Sequence, residues 1–145
     1  MTEPVGDPAS IVVQRRVEWT DTDATGHYHH STVIRWVEAA EATLHERLGI
    51  AELFATIPRV RYEVDYVARL WFRDLVDISL RVANVGRASV TYKFEIRRNG
   101  EVAARGGLVA VHAPLETPGT REWPAGVRVL LESAGAQPAE LLRRA

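Results

Sequence analysis

The chain has 145 residues, no cysteine and a net charge of −1, from 18 lysines and arginines against 19 aspartates and glutamates. This length predicts one domain of residues 1–145 with a single core, and the balanced charge argues against binding to nucleic acid or to an anionic membrane. The lack of cysteine excludes disulfides, thiolate catalysis and cysteine-ligated metals. Residues 1–10 have neither the basic start nor the apolar run of a signal peptide, and no apolar stretch reaches the length of a membrane span, so we expect a cytoplasmic protein.

The first part of the chain is predicted to hold an arm, a strand and a polar loop. Residues 1–10 carry acids, prolines and a glycine, and we expect a loose arm there. Residues 11–19 read as a strand, and the apolar side chains that share one face are Val13, Val17 and Trp19. Residues 20–30 then contain two aspartates, three histidines and Gly26, which permits a backbone bend that other residues resist.

A long amphipathic helix is predicted directly after this loop. Ser31 or Thr32 can cap its start, and Gly49 ends it in the usual manner. Its length would be roughly 25 Å at 1.5 Å per residue, enough to cross a small domain. The apolar residues at helical spacing are Val33, Val37, Ala40, Leu44 and Leu48. Trp36 widens this apolar stripe, which favours a helix wrapped by a sheet.

Three strands with period-two alternation follow an irregular helical turn at residues 50–57. They span about 59–66, 76–82 and 90–97, and charged residues such as Arg59 fall on the face opposite the apolar one. The apolar faces hold Val60, Tyr62, Val64 and Tyr66 in the first strand, Val76, Ile78, Leu80 and Val82 in the second, and Val90, Tyr92, Phe94 and Ile96 in the third.

The Asn99-Gly100 pair sets the register of the last strand. A two-residue loop would place Arg105 opposite Phe94, whereas a three-residue loop with Gly100 left-handed would pair Ala104 with Phe94. We expect the three-residue loop.

The last part of the chain is predicted to hold one more strand and a tail. The strand covers residues 101–112, with a bulge or a close backbone approach at Gly106-Gly107. Residues 114–145 form an irregular tail with short helices over 127–133 and 138–142. The order of a strand, a long helix and four antiparallel strands predicts an α+β fold, in which about five strands form one curved sheet around the helix.

One motif resembles a known family. Its pattern is an aromatic residue, then Asp-x-Asp, a small residue and glycine, followed by a helix with an early aromatic. In this sequence the motif reads Trp19, Asp21, Asp23, Ala24, Gly26 and Trp36. Together with the element order it resembles the hot-dog fold and, within it, the 4-hydroxybenzoyl-CoA thioesterase family with the related YbgC-type acyl-CoA thioesterases, over roughly residues 11–113.

The resemblance implies a thioesterase whose catalytic carboxylate is Asp23. It also implies a catalytic part for His30, whose backbone amide begins the helix and would bind the thioester oxygen. We expect substrate contacts from Gly26, Ser31, Trp36, Tyr66 and Arg87, with Arg59, Arg61 and Arg69 as further cations for CoA phosphates. The implied substrate is an acyl-CoA or acyl carrier protein thioester, with no cofactor and no metal, and the implied assembly is a homodimer or homotetramer.

Thioester hydrolysis needs a polarised carbonyl and an attacking group. The unpaired amides and the dipole of a helix start suit negative charge developing on a carbonyl oxygen. Asp23 would either activate a water or attack directly to form a mixed anhydride, and the sequence leaves both routes open. His30 would orient water or protonate the leaving thiolate.

Plainer interpretations of the same residues stay open. Asp21 and Asp23 can each bond the backbone of their own turn, and His30 can be an ordinary helix-start residue. The three histidines with the aspartates could bind a metal, although adjacent residues rarely aim at one ion. Two further functions remain open, a hot-dog hydratase or dehydratase acting on acyl thioesters and an acyl-CoA binding module without chemistry.

Overall fold

A five-stranded antiparallel sheet packs against one long helix in the computed structural model, which describes residues 6–142. The strands are β1 (Ser10–Arg16), β2 (Arg59–Tyr66), β3 (Leu75–Val85), β4 (Ser89–Arg98) and β5 (Glu101–Val111), and the helices are α1 (Thr32–Arg47) and α2 (Val127–Ser133). Short 3₁₀ helices cover Trp19–Asp21 and Ala51–Thr56. The strand order β1-β3-β4-β5-β2 confirms the predicted α+β architecture. Among residues 6–142, no helix is long and apolar enough to cross a membrane.

The core lies between α1 and the inner face of the sheet. Apolar side chains at every second position of β3 and β4 are buried, as their alternation predicted: Val76, Ile78, Leu80, Val82, Val90, Tyr92, Phe94 and Ile96. On α1 the predicted apolar stripe is buried at Val33, Val37, Ala40 and Leu44. Gly49 follows the helix with φ 73°, a left-handed conformation that glycine adopts without strain.

The predicted faces of β2 are wrong at its first two residues. The pairing with β5 shifts between Arg59 and Arg61, so one extra residue is accommodated there as a bulge. As a result Val60 is 61% exposed, while Arg59 turns inward and pairs with the buried Glu41 of α1. The Arg59 guanidinium also lies over the Phe54 ring, 4.9 Å from its centroid.

The predicted loop between β4 and β5 is also wrong. Asn99 (φ 49°) and Gly100 (φ 80°) form a two-residue turn, in which Arg98 pairs with Glu101. Two consecutive positive φ angles match the turn whose twist suits a tight hairpin. The register shifts between Ile96 and Arg97. Phe94 therefore faces Gly106, and neither predicted partner of Phe94, Ala104 or Arg105, lies opposite it.

The predicted close backbone approach at Gly106 is confirmed. A Cβ atom at this position would lie 1.9 Å from the Glu63 carbonyl oxygen and 2.9 Å from Cζ of Phe94. Only glycine fits there, because β2 and the Phe94 ring occupy the space that any side chain would need.

The first strand is shorter than predicted. It ends at Arg16, and Val17 remains buried as expected, but Trp19 lies in the following 3₁₀ helix and is 72% exposed. The expectation that Trp19 shares the buried face is therefore wrong. Glu18 and Asp21 exchange backbone and carboxylate hydrogen bonds around this helix, which ends the strand geometry.

The predicted loose arm is wrong where the structure describes it. Ala9 is fully buried, and its amide donates to the Leu131 carbonyl (3.0 Å). The Gly135 amide donates to the Asp7 carbonyl (2.8 Å), so the start of β1 is held to the segment around α2. Residues 1–5 lie outside the described residues.

The tail forms the predicted helix α2 but not the helix expected over 138–142. Residues 136–142 instead run extended beside β1, with the Gln137 amide donating to the Ser10 carbonyl (2.8 Å) and the Gln14 amide to the Glu140 carbonyl (2.8 Å). The Glu140 carboxylate accepts hydrogen bonds from Arg15 (2.6 Å) and Thr43 (3.1 Å). These contacts replace the bonds that a short helix would have made.

Candidate active site

The polar loop before α1 is a tight turn centred on Asp23. The Asp23 amide donates to the His27 carbonyl and the Gly26 amide to the Asp23 carbonyl, both at 3.0 Å. Gly26 has φ 88°, so the predicted backbone bend lies there. Two contacts attach the loop to the segment that connects β2 with β3. One is a β-bridge between His27 and Trp71, and the other is the Tyr28 amide, which donates to the Leu70 carbonyl (2.8 Å).

The Asp23 carboxylate is oriented by its neighbour Thr25, whose hydrogen bonds favour the charged form. The Thr25 amide donates to Oδ1 of Asp23 at 2.8 Å, and the Thr25 hydroxyl donates to the same oxygen. The bond from the Thr25 hydroxyl has the largest effect and lowers the pKa of Asp23, and the bond from the Thr25 amide lowers it as well. The nearby His27 and His29 lower it further. Because hydrogen bonds to the charged form favour it, the carboxylate is available as a base or a nucleophile.

The start of α1 does not use the predicted side-chain caps. Ser31 has a helical backbone (φ −76°, ψ −11°), and its hydroxyl turns to Nδ1 of His29 (2.7 Å) rather than to the first turn of the helix. The Thr32 hydroxyl donates back to the Asp21 carbonyl (2.8 Å). Within residues 6–142 the amide of His30 donates to no protein acceptor, so it is available for a bound group.

Two tyrosines form the wall beside this amide. The Tyr66 hydroxyl donates to the carbonyl oxygen of His30 (2.5 Å), and the Tyr66 and Tyr28 rings lie 5.9 Å apart. The Tyr28 hydroxyl donates to the Ala68 carbonyl (3.0 Å). Burial raises the pKa of Tyr28 to about 12 and also raises the pKa of Tyr66, so both phenols stay protonated near neutral pH.

A pocket of about 360 Å³ collects these groups. It is lined by Asp23, His27, Tyr28, His30, Tyr66, Val67, Ala68 and Arg69. Of the residues predicted from sequence, the structure therefore brings together the carboxylate of Asp23, His30 and Tyr66, with Arg69 as the adjacent cation. A pocket lined by a carboxylate residue and by a residue at a helix start combines two kinds of group that can act on a carbonyl.

The other predicted site residues lie outside this pocket. Trp36 is buried in the core, stacked against Tyr28 with ring centroids 6.3 Å apart. Ser31 is exposed beside the helix start, and Arg87 follows β3 at the far end of the sheet, where it pairs with Glu122 (3.3 Å). Of the other predicted cations, Arg59 and Arg61 pair with carboxylates, and only Arg69 lines the pocket.

Two residues of the site were missed in the sequence. Thr25 was not singled out, although Asp-x-Thr is the spacing at which a carboxylate accepts bonds from a residue two positions on. Tyr28 is not among the predicted site residues, because its burial between Trp36 and Tyr66 depends on contacts with residues elsewhere in the chain.

A wider depression of about 670 Å³ lies on the outer face of the sheet. Its lining alternates acids and bases: Glu63, Asp65, Arg81, Lys93, Glu95 and Arg105. Opposite charges on neighbouring strands offset one another there, so the smaller pocket is the better candidate. Within residues 6–142, no three His, Asp or Glu side chains are grouped as a metal site would need.

The chain matches a family model described as the Thioesterase-like superfamily over residues 17–131. Because this match covers most of the sequence, the chain belongs to that superfamily. The predicted hot-dog fold and the predicted enzyme class, a thioester hydrolase, are confirmed. The narrower likeness to YbgC-type members stays a prediction.

Individual relatives agree with this membership. The chain is similar to a 1,4-dihydroxy-2-naphthoyl-CoA hydrolase of Prochlorococcus marinus (strain NATL2A), with 27% identity covering 63% of this chain and 67% of the relative. A gentisyl-coenzyme A thioesterase structure is 26% identical, with a TM-score of 0.74 over 83% of this chain and 98% of that one. A thioesterase of Thermus thermophilus, solved with coenzyme A and Zn, is 26% identical, with a TM-score of 0.75 over 83% and 90% of the two chains.

Proposed function

We propose that this protein hydrolyses an acyl-CoA thioester in the pocket between Asp23 and the start of α1. Asp23 acts as the general base that activates water, or as the nucleophile that forms a mixed anhydride. The amide of His30 donates a hydrogen bond to the thioester oxygen and stabilises the negative charge that develops there. The free acid and the thiol are the products.

One observation carries the proposal. Asp23, which carries the carboxylate, and His30, whose amide has no protein acceptor within residues 6–142, line the same cavity, and each is fixed by contacts of its own. Thr25 orients the carboxylate, and Tyr66 holds the peptide that follows the amide by bonding the His30 carbonyl. Such preorganised groups need little rearrangement when the reaction begins.

The remaining pocket residues have supporting roles. His30 lines the pocket, and its imidazole would orient water or protonate the leaving thiolate. Arg69 lines the pocket and would face the phosphates of a bound CoA thioester. Arg87 is remote from this pocket within one chain, so its proposed contact with CoA phosphate requires a second subunit. We accordingly propose a homodimer or homotetramer.

The identity of the acyl group is suggested by two relatives, which are named for dihydroxynaphthoyl and gentisyl thioesters of CoA. An aromatic acyl group is therefore the first to test. An acyl carrier protein could deliver the same thioester through its pantetheine arm, and a hydratase or a binding module would use the same acyl site differently.

Thiol release from a panel of aromatic and aliphatic acyl-CoAs tests the function. We expect free CoA thiol with at least one aromatic acyl-CoA. A changed double bond with the thioester intact would instead establish a hydratase or dehydratase. Tight acyl-CoA binding without turnover, on CoA and on carrier-protein thioesters alike, would establish the binding module.

The pH dependence of kcat/KM tests the contact between Thr25 and Asp23. Activity requires the Asp23 carboxylate, so the rate falls as the pH drops through its lowered pKa. Thr25→Val removes the hydroxyl donor, which raises that pKa, and the acidic limb of the profile should move to higher pH. Thr22→Val is the matched control, because the Thr22 hydroxyl donates to the Trp19 carbonyl (2.7 Å) and not to Asp23. Coincident acidic limbs for Thr25→Val and the wild type would contradict this assignment.

A further inference from the structure

Three exposed aromatic side chains lie beside the pocket. Trp19, Trp71 and Phe72, the aromatic patch, are 72%, 42% and 40% exposed. The Trp19 and Phe72 rings meet edge to face, with centroids 5.1 Å apart, and Trp71 meets the pocket residue His27 in the same way at 5.9 Å. The patch therefore continues outward from the rim of the pocket.

The turn that carries Trp71 and Phe72 is fixed by hydrogen bonds within itself and to Val17. The Asp74 carboxylate accepts a hydrogen bond from the Trp71 amide (2.8 Å). The Asp74 amide donates to the Trp71 carbonyl, and the Asp74 carbonyl accepts from the Val17 amide. The Arg73 amide donates to the Val17 carbonyl (2.8 Å), while Arg73 itself has φ 76°. A left-handed conformation is costly for a side chain as large as arginine and is found mainly where the surroundings impose it. These contacts fix the turn on which the partly exposed side chains of Trp71 and Phe72 lie.

Three arginines lie in the segments around the aromatic patch: Arg16, Arg69 and Arg73. Arg73 lies over the Phe72 ring, 5.4 Å from its centroid, and Arg16 donates to the Arg73 carbonyl (2.9 Å). In the part of the chain that the structure describes, Arg16, Arg69 and Arg73 have no carboxylate within 4.0 Å. The carboxylate of the turn, Asp74, is already paired with Arg98 (3.0 Å).

Exposed flat rings next to unpaired arginines are suited to a nucleotide. Aromatic side chains stack on a base whatever its sequence context, and guanidinium groups bind phosphate oxygens. The acyl end of a CoA thioester would fill the pocket, so its adenine and phosphates must lie outside. The aromatic patch offers both kinds of contact on that outer side.

We propose that the aromatic patch binds the adenine nucleotide end of CoA, with Arg16, Arg69 and Arg73 facing its phosphates. This inference rests on the proposed function and adds a preference for free CoA thioesters, because a carrier protein presents the same pantetheine arm without adenine. Trp19 and Phe72 would be specificity-determining residues that do not touch the reacting atoms.

A pair of substrates that share one acyl group tests the proposal. The first is the acyl-CoA, and the second is the N-acetylcysteamine thioester, which ends before the nucleotide. In Trp19→Ala and in Phe72→Ala we expect kcat/KM for acyl-CoA to fall roughly tenfold or more relative to kcat/KM for the short thioester, the scale of one lost base stack. Leu115→Ala, at a 90% exposed apolar residue in the loop after β5, is the control and should leave the ratio unchanged.

A binding measurement separates this proposal from the proposed function. Adenosine 3′,5′-bisphosphate, the nucleotide part of CoA, should bind the wild type and bind Trp19→Ala and Phe72→Ala more weakly, whether or not any thioester turns over. Equal losses on both thioesters, or unchanged nucleotide binding, would overturn the role of the patch. A change of oligomeric state in the variants, with nucleotide binding unaffected, would identify the patch as a subunit contact and overturn it as well.

Discussion

Asp23→Asn should lower kcat for the best acyl-CoA substrate by a hundredfold or more, the scale expected when a positioned base or nucleophile is lost. The substitution keeps the shape of the side chain and its ability to accept the hydrogen bonds of Thr25. It removes the negative charge that either activates water or attacks the thioester. KM should change little, because the leaving thiol and the acyl group contact other residues.

Asp21→Asn is the matched control, two residues earlier in the same loop. The Asp21 carboxylate accepts bonds from the Glu18 amide (2.8 Å) and from Arg35 (3.1 Å), and it does not line the pocket. Steady-state kinetics of both variants on one substrate should separate them clearly. If Asp23→Asn kept most of the wild-type rate, the proposed chemistry of this residue would be wrong even though the fold and family hold.

Arg59→Met should lower the free energy of unfolding by about 3 kcal/mol, since it leaves a buried charge without its partner. Glu41 is fully buried within α1, and Arg59 is the cation paired with it. The second oxygen of Glu41 has no hydrogen-bond partner among the described residues, so no other group there could take over the charge. The loss is at the lower end of the expected range because the Arg59 side chain is itself partly exposed.

Two further variants make this stability prediction specific. Arg59→Met combined with Glu41→Leu removes both charges and should recover most of the loss, as apolar replacements of buried ion pairs commonly do. Arg61→Met breaks the exposed pair with Glu63 and should have little effect. Urea unfolding of these three variants and of the wild type measures the differences. Equal stability of Arg59→Met and Arg61→Met would mean that Glu41 is not held as a buried charge.

The sequence predicts which residues are buried more accurately in the central strands of the sheet than in its edge strands. Over residues 76–82 of β3 and 90–96 of β4 the alternation is unbroken, and each strand is paired on both sides, so the buried face there follows directly from the period. At the start of β2 the alternation was equally regular, but a bulge inverted it and brought Arg59 inward. Where a bulge forms depends on the partner strand, which local periodicity does not contain.

The site shows the same division. Asp23 and His30 are close in sequence and belong to one turn and one helix start, so their convergence could be predicted from a short motif. Tyr66 joins them from a strand 36 residues away from His30, and it was predicted only through the family resemblance. The contacts of Glu140 with Arg15 and Thr43 span 125 and 97 residues, and no local pattern predicts them.

The extended tail beside β1 has a consequence for how copies of this protein can associate. Residues 136–142 form hydrogen bonds with the outer side of the edge strand β1. The other edge strand, β2, pairs only with β5 in the part of the chain that the structure describes. A sheet with two unpaired edge strands can add further sheets at both edges and grow into a fibre. A sheet with one unpaired edge strand can join one other sheet through that edge, and this growth then stops at two copies.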